Sequence, residues 1–580
     1  MGHDGTTETV DSDVLAAEGA GDIQFYGTLA TKNDSSSAII IRGAKDVVLP
    51  NIEIVHDGVI KGQLSLGTGS ELDEIISGNI TQGVGTSLQL ADLKVAAGGS
   101  VVLANSGNSI EALVSGLAGN NEAIDFDLDL YDKEGGLRLE NNVVSAGGVR
   151  IKTFVDPDNS SSIVLADNDI LADGEVYLQG RGITQTENGD INAQSGQITL
   201  DGGGSILSLL GSVETTNAQA DALVMQNAST VTLNTINVTE GTLVLGGAED
   251  GLEITESVTQ TSSSVVEAQT LAANVGVLTL NRDNKINQLG DITATDTVTI
   301  VDDGLAGLPS IDGPDISGLQ LVGNFVAGGA SQIESTDGSI RLGTSTVTVG
   351  ETVDDVFTGE ALTLEGVGIS QTYQPSVDDE TASASASFIK SGATTLRGGT
   401  GSILLGSAAN DFTGQVTPTA SGVQVFIRDA NDLGLTSLAS ISDASPNDTS
   451  ITGIAGKALS LSTGALVTDA GSVDLRSLDG DLATPGSITT DSGNVTLFAS
   501  GTMALNNGVD SQSGNLSVTG DQITHNSGLL ALATGGAGTI DVTATGSDGL
   551  SMSTNYKYQS DTGTVTINSA GASDLANIVT

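Results

Sequence analysis

The feature that most constrains this 580-residue sequence is the recurrence of short, alternating apolar segments about 21 residues apart. Each segment has an aliphatic residue at every second position and is bounded by Gly, Asp, Asn or Ser, a pattern typical of short β-strands. The first apolar residues of these segments form three series: Val176, Ile198, Leu223 and Leu243; Leu278, Val298, Leu319, Ile340 and Leu362; and Val473, Val495, Leu516, Ile540 and Val565. Many segments also begin with Gly and one further residue, as in GSVDL, GNVTL and GTIDV.

A repeat of this length predicts an all-β parallel β-helix, in which each coil of about 21 residues stacks on the preceding coil. Apolar residues at equivalent positions would form ladders inside, and the alternate Thr, Ser, Asn and Asp residues would face outward. The competing fold is an array of β-sandwiches of about 100 residues each, which usually carry an aromatic anchor. We favour the β-helix because the repeat is much shorter and the chain has no Trp.

The solenoid is predicted to occupy residues 21–580. Residues 1–20 are polar and are expected to be a poorly ordered N-terminal segment. Two stretches interrupt the pattern and are predicted to leave the coil as loops, the Ser/Ala-rich residues 374–391 and the turn-rich residues 443–453.

Charge and composition exclude several function classes. The chain has 72 acidic and 19 basic residues, a net charge of −53, so nucleic acid and anionic membranes are not expected as partners. It has no Cys, which excludes a disulfide scaffold and cysteine-ligated metal. No apolar stretch approaches the length of a membrane-spanning helix, and the N-terminus lacks the features of a signal peptide.

Short motifs recur along with the period. One is Ile/Val-Thr/Ser-Gln, at residues 80–82, 183–185, 258–260 and 369–371; another is Asn-x-Ile-x-x-Leu, which begins at Asn108 and Asn284; a third is AANDFTGQV at residues 408–416. Together with the period, these motifs resemble the repeat regions of filamentous haemagglutinin-like adhesins, the large exoproteins of Gram-negative bacteria.

The resemblance implies a right-handed β-helix and a secreted or cell-surface location outside the outer membrane. It also implies a role as a structural or adhesive shaft in adhesion or biofilm formation. The expected partners are glycans or proteins on host or neighbouring cells, or another copy of the chain. Some members of this family carry a secretion domain with Asn-Pro-Asn motifs. This sequence has none, so we expect an internal segment of a larger export substrate.

An enzyme on a β-helix is the alternative from another class. The segment GGVRIKTF resembles the Arg-Ile-Lys motif of polygalacturonases, which bind a sugar carboxylate beside an acid/base pair. The three histidines of this chain are far apart and none lies in Gly-His-Gly. We therefore predict that Arg150 and Lys152 face outward on either side of a core Ile151, and we predict no catalytic residue. A groove with two carboxylates and a basic residue in mutual hydrogen-bond reach would favour an enzyme.

No cofactor is predicted, with Ca²⁺ left open. Carboxylates suit that cation, and the candidate ligands are Asp125, Asp127, Asp129, Asp156 and Asp158. Solvated surface is the alternative for these residues, and a calcium-dependent sheath or surface layer is the corresponding alternative function.

The densest aromatic site is NYKY at residues 555–558. It makes Tyr556 and Tyr558 candidate ligand contacts, with a packed loop as the alternative.

Overall fold

The computed structural model describes residues 8–10, 15–18, 21–67, 75–118, 128–132, 136–153, 161–303, 318–343, 345–353, 356–371, 387–421, 424–436, 450–462, 464–526 and 532–580. All regular elements within these ranges are β-strands. The chain divides into two compact units, Met1–Lys285 and Ile286–Thr580. In each unit the strands stack in parallel as a β-solenoid, which confirms the predicted fold class.

The strands that begin in the first unit are β1 Glu8–Val10, β2 Leu15–Glu18, β3 Ile23–Gln24, β4 Thr28–Thr31, β5 Ile39–Arg42, β6 Val47–Leu49, β7 Asn51–His56, β8 Val59–Ile60, β9 Gln63–Leu66, β10 Ile80–Gln82, β11 Leu88–Ala97, β12 Val101–Leu103, β13 Ser109–Ala118, β14 Leu128–Asp132, β15 Leu137–Leu139, β16 Val143–Ser145, β17 Val149–Thr153, β18 Ile163–Leu165, β19 Ile170–Ala172, β20 Val176–Gln179, β21 Ile183–Gln185, β22 Ile191–Asn192, β23 Ile198–Leu209, β24 Ser212–Glu214, β25 Leu223–Leu245 and β26 Ile254–Ala294.

The strands of the second unit are β27 Val298–Asp302, β28 Gly318–Leu321, β29 Phe325–Ala327, β30 Ser331–Ser335, β31 Ser339–Leu342, β32 Thr346–Val353, β33 Val356–Gly359, β34 Leu362–Glu365, β35 Ile369–Gln371, β36 Phe388–Ser391, β37 Thr394–Gly399, β38 Ile403–Leu405, β39 Asp411–Phe412, β40 Gln415–Ala420, β41 Gln424–Asp429, β42 Leu433–Leu435, β43 Ser450–Ala455, β44 Leu459–Leu461, β45 Leu466–Thr468, β46 Val473–Ser477, β47 Leu482–Thr484, β48 Ile488–Thr490, β49 Val495–Ala499, β50 Thr502–Leu505, β51 Val509–Ser511, β52 Leu516–Gly520, β53 Gln522–His525, β54 Leu532–Thr534, β55 Ile540–Ala544, β56 Leu550–Met552, β57 Lys557–Ser560, β58 Val565–Ser569, β59 Ser573–Asp574 and β60 Asn577–Val579.

The last coils of the second unit show the repeat in its most regular form, with three short strands in each coil. One stack contains β46, β49, β52, β55 and β58, a second contains β47, β50, β53, β56 and β59, and a third contains β45, β48, β51, β54, β57 and β60. Neighbouring strands in each stack are parallel. The two antiparallel pairs among the described strands are the local hairpins β7–β8 and β32–β33.

Alternation along each strand places the core inside the coil. In β46, Val473 and Leu475 are buried, while Asp474 and Arg476 point outward and pair with each other at 2.9 Å. Because the side-chain period of a strand is two, a shift of one residue would exchange the apolar ladder for the charged one. The apolar pattern therefore fixes the register of each coil on the next.

The C-terminal series of predicted ladder positions is confirmed. Val473 pairs with Val495, Val495 with Leu516, Leu516 with Ile540 and Ile540 with Val565. The coils in this region have nearly constant length, so a fixed step along the sequence moves to the same position of the next coil.

The middle series is wrong at two of its steps. Val298 pairs with Ser331 and not with Leu319, and Ile340 pairs with Ile369 and not with the next member of the predicted series. The coils are longer here, and Ser331 occupies a buried ladder position without being apolar. A constant step between aliphatic residues therefore connects different stacks.

A column of glycines explains the Gly that precedes many strands. Gly493, Gly514, Gly538 and Gly563 each lie directly against the carbonyl oxygen of the equivalent glycine one coil earlier. A Cβ atom at any of these positions would overlap that oxygen, and only glycine permits so close an approach of two backbones. The Thr490 Oγ1 donates a hydrogen bond to the Gly493 carbonyl at 2.7 Å. The column thus closes one corner of each coil.

Three predicted boundaries are corrected. The segment 1–20 contains β1 and β2, which pair in parallel with β4 and β5. The predicted loops 374–391 and 443–453 end in strands β36 and β43, which continue the stacks. Residues 372–386 and 437–449, which contain most of both predicted loops, lie outside the described residues.

Candidate functional site

The predicted calcium ligands are mostly untested. Asp125, Asp127, Asp156 and Asp158 lie outside the described residues. Asp129 lies in β14, where its backbone pairs with Arg150 of the next coil. Within the described part of the chain, no group of three His, Cys, Asp or Glu residues is arranged to bind a metal ion.

The two predicted aromatic contacts are buried, which corrects their assignment. Tyr556 and Tyr558 have no solvent exposure. The Tyr558 hydroxyl lies 2.7 Å from the Nε2 of His525, and the Tyr556 hydroxyl donates to the Leu505 carbonyl at 3.2 Å. The reason is strand alternation, since Lys557 points outward and so places both tyrosines inside. A ring without an exposed face cannot contact a ligand.

His525 completes this aromatic cluster. Its ring centroid is 5.0 Å from that of Tyr556 and 5.5 Å from that of Tyr558. Burial lowers the pKa of His525 to about 4 and raises the pKa of Tyr558, so both groups are neutral at pH 7. The cluster fills the interior of the last coils.

The recurring sequence motifs come together as buried amide pairs, each formed by a Gln and an Asn. The Gln of the Ile/Val-Thr/Ser-Gln motif bonds to the Asn of the Asn-x-Ile motif, or of AANDFTGQV, in a later coil. The three pairs are Gln82–Asn108, Gln260–Asn284 and Gln371–Asn410. In each pair the Gln Nε2 donates to the Asn Oδ1 at 2.7–2.9 Å and the Asn Nδ2 donates back to the Gln Oε1 at 3.1–3.2 Å.

Each amide pair also satisfies backbone groups. The Asn Oδ1 accepts a backbone N–H from Leu88, Val266 or Ile389 at 2.9–3.1 Å. The three asparagines have no solvent exposure. A buried amide without partners costs free energy, so these contacts make the pairs a structural device of the coil. The motifs that carried the family resemblance therefore have a role in folding.

The third amide pair continues into a buried carboxylate. Asp429 is 1% exposed and accepts backbone hydrogen bonds from Phe412 at 2.8 Å and from Asn431 at 2.6 Å. Burial raises the pKa of Asp429 to about 6, against the opposing effect of these hydrogen bonds.

Arg150 and Lys152 face outward around a buried Ile151, as predicted. The structure adds a contact that the sequence did not suggest, because both cationic groups lie 5.0 Å from the ring centroid of Tyr177 on the next coil. Such cation–π contacts stabilise the folded state by about 0.5–1 kcal/mol at exposed positions. The motif therefore has a structural role in this face.

One cleft in the second unit combines the residue types expected of a binding site. It has a volume of about 380 Å³ and lies at the ends of β30, β34, β37 and β40. Four of its lining residues occupy consecutive positions of one outward ladder, in the order Glu334, Glu365, Arg397 and Thr419. We call these four residues the polar column.

Charges in the polar column are largely compensated. The Arg397 Nη1 lies 2.8 Å from the Glu365 Oε2, and the Glu334 Oε2 accepts a hydrogen bond from the Gln332 side chain at 3.1 Å. Glu334 and Glu365 are register partners, so their backbones are about 4.8 Å apart. Two carboxylates and an arginine thus share one cleft. Sequence analysis missed this site because its members are about 30 residues apart and belong to no motif.

Comparisons with known proteins give no relative for this chain. No family model matches it, and neither a curated protein nor a solved structure matches it. No helix in the described part of the chain is long and apolar enough to cross a membrane.

Proposed function

We propose that this chain is a structural shaft segment of a secreted or cell-surface bacterial exoprotein, which acts in adhesion or in the formation of a biofilm matrix. The observation that carries the proposal is the parallel stacking of coils in each unit, with a continuous apolar interior. Such stacks use their residues to build extended surface, because each coil contacts only its neighbours.

The repeated devices support this proposal. The amide pairs and the glycine column recur at coil positions and serve backbone geometry, so the conserved effort of the sequence goes into repetition of the coil. We propose that the chain performs no turnover and needs no cofactor. Its expected partners are glycans or proteins on neighbouring or host cells, or other copies of the chain.

The net charge of −53 fits an extracellular shaft. Mutual repulsion of acidic surfaces keeps such proteins soluble and prevents unspecific adsorption to nucleic acid and anionic membranes. Retention on a cell surface would then require specific contacts, which the polar outward ladders and the loops between strands would provide.

The absence of cysteine allows a direct test. Val84 is fully exposed, so Val84→Cys provides a single labelling site outside the core. The labelled protein is added to Gram-negative biofilms and to epithelial cells, and the retained fluorescence is measured after washing. We expect saturable retention that excess unlabelled protein displaces. Retention no higher than that of labelled serum albumin on both surfaces would refute an adhesive role.

A further inference from the structure

The cleft of the second unit has the chemistry of a ligand site that the shaft function does not require. Its polar column spans four consecutive rungs and offers acceptors at Glu334 and Glu365, donors at Arg397 and a hydroxyl at Thr419. Most outward ladders of the solenoid carry Thr, Ser and single charges. A mixed column of this kind beside a concave surface is therefore distinctive.

The compensated charges disfavour ionic ligands. Glu365 is paired with Arg397, and Glu334 already accepts a hydrogen bond from Gln332. A metal or polyamine would have to displace these partners. An anionic ligand would meet two carboxylates and the strongly negative surface of the chain. The ligand class that remains is a neutral one with many donors and acceptors.

Sugar hydroxyl groups match this pattern. Each hydroxyl both donates and accepts, so neighbouring hydroxyls can bond at once to a carboxylate and to a guanidinium. Val367, which lines the cleft and is 42% exposed, provides an aliphatic surface for the C–H face of a sugar ring. The backbones of Gly366 and Gly399 also line the cleft and leave room for a close approach.

Dimensions agree with a short oligosaccharide. The rungs are about 4.8 Å apart, which is close to the length of one sugar unit in a linear chain. The cleft volume of about 380 Å³ lies within the range of small-molecule sites. We propose that this cleft binds a neutral oligosaccharide of two or three units along the polar column, with Arg397 and Glu365 bonding to adjacent hydroxyls.

This inference rests on different contacts from the proposed shaft function, and its test uses purified sugars instead of cells. The full-length protein is titrated with neutral tetrasaccharides of glucose, mannose and galactose in α and β linkages, and binding is followed by saturation-transfer NMR and calorimetry. We expect at least one sugar to bind. Arg397→Ala should weaken that binding at least tenfold, and Glu334→Gln, which retains the shape of the side chain, should also weaken it.

Arg138→Ala is the matched control. Arg138 forms an exposed ion pair with Glu140 in the first unit, away from any described cleft, so the variant should bind sugar as the parent does. Thermal unfolding of each variant separates a lost contact from a lost fold, and Glu334→Gln keeps the test valid if Arg397→Ala does not fold.

Three results would overturn the inference: no binding by any sugar of the panel, unchanged binding in both cleft variants, or displacement of bound sugar by spermine. Release of reducing ends that both cleft variants abolish would support the site and would refute the proposal of a shaft without turnover. Failure of cell retention with intact sugar binding would refute only the adhesive role.

Discussion

The amide pair Gln371–Asn410 should contribute strongly to the stability of the second unit. Asn410 is fully buried, accepts hydrogen bonds from Ile389 and Gln371 at 2.9 Å each, and donates to the Arg428 carbonyl at 3.1 Å. In Asn410→Leu, the backbone N–H of Ile389 and the Nε2 of Gln371 lose these acceptors inside the protein.

An unsatisfied buried donor costs about 1–3 kcal/mol, so two donors cost about 2–6 kcal/mol. The added apolar burial of leucine offsets about 1–2 kcal/mol of this loss. We expect the free energy of unfolding of Asn410→Leu to fall by about 3 kcal/mol, measured by urea denaturation of the full chain with far-UV circular dichroism. The control is Asn526→Leu, because Asn526 is exposed and bonds only to a neighbouring asparagine side chain.

The double variant with Gln371→Leu and Asn410→Leu tests the mechanism. It removes both side-chain amides, so only the Ile389 N–H remains without its acceptor, and its loss should be smaller than the sum of the single losses by about 1–2 kcal/mol. The reasoning is refuted if Asn410→Leu unfolds within about 0.5 kcal/mol of the Asn526→Leu control.

Three further changes probe the ladder, the glycine column and the buried carboxylate. Ile340→Asp exchanges a buried ladder residue for a charge and should cost at least about 5 kcal/mol, from about 1.5–3 kcal/mol of lost burial and a larger desolvation penalty, whereas the outward Arg341→Asp should change stability by less than about 1 kcal/mol; equal melting temperatures would contradict the register. Gly493→Ala should lower the melting temperature clearly, while Gly21→Ala, with open space around its Cβ, should not. Asp429 has a raised folded-state pKa of about 6 against 3.8, so its stabilising contribution is full below about pH 4 and is lost as pH rises through about 6, by up to about 3 kcal/mol; Asp429→Asn should reduce this slope in pH-dependent unfolding, and an unchanged slope would show that Asp429 is not the responsible group.

The fold was predictable from the sequence because its period is carried by residues with a simple physical role. Alternating aliphatic residues from Val473 to Val565 fix both the strand and its partner, as the pairing shows. Prediction failed between Val298 and Ile340, where coils are longer and Ser331 occupies a ladder position. A fixed period describes the rungs only while the loops between them have constant length.

The candidate site was much less predictable. The alternation around Lys557 contained the signal that Tyr556 and Tyr558 face inward, but a dense aromatic segment suggested a surface contact instead. The polar column and the amide pairs depend on partners that are neighbours in space and separated by whole coils of unequal length. Residue type alone does not reveal such contacts, whereas the register of the stacks does.

The constancy of the rungs despite unequal coils has a practical consequence. Thr502 pairs with Gln522 after 20 residues, and Val298 pairs with Ser331 after 33, yet both steps advance the stack by one rung. Extra residues at a corner therefore project sideways and leave the neighbouring rungs in place. Foreign peptides spliced into successive corners of one unit would be presented at fixed intervals, so the scaffold could serve as a molecular ruler for the spacing of epitopes.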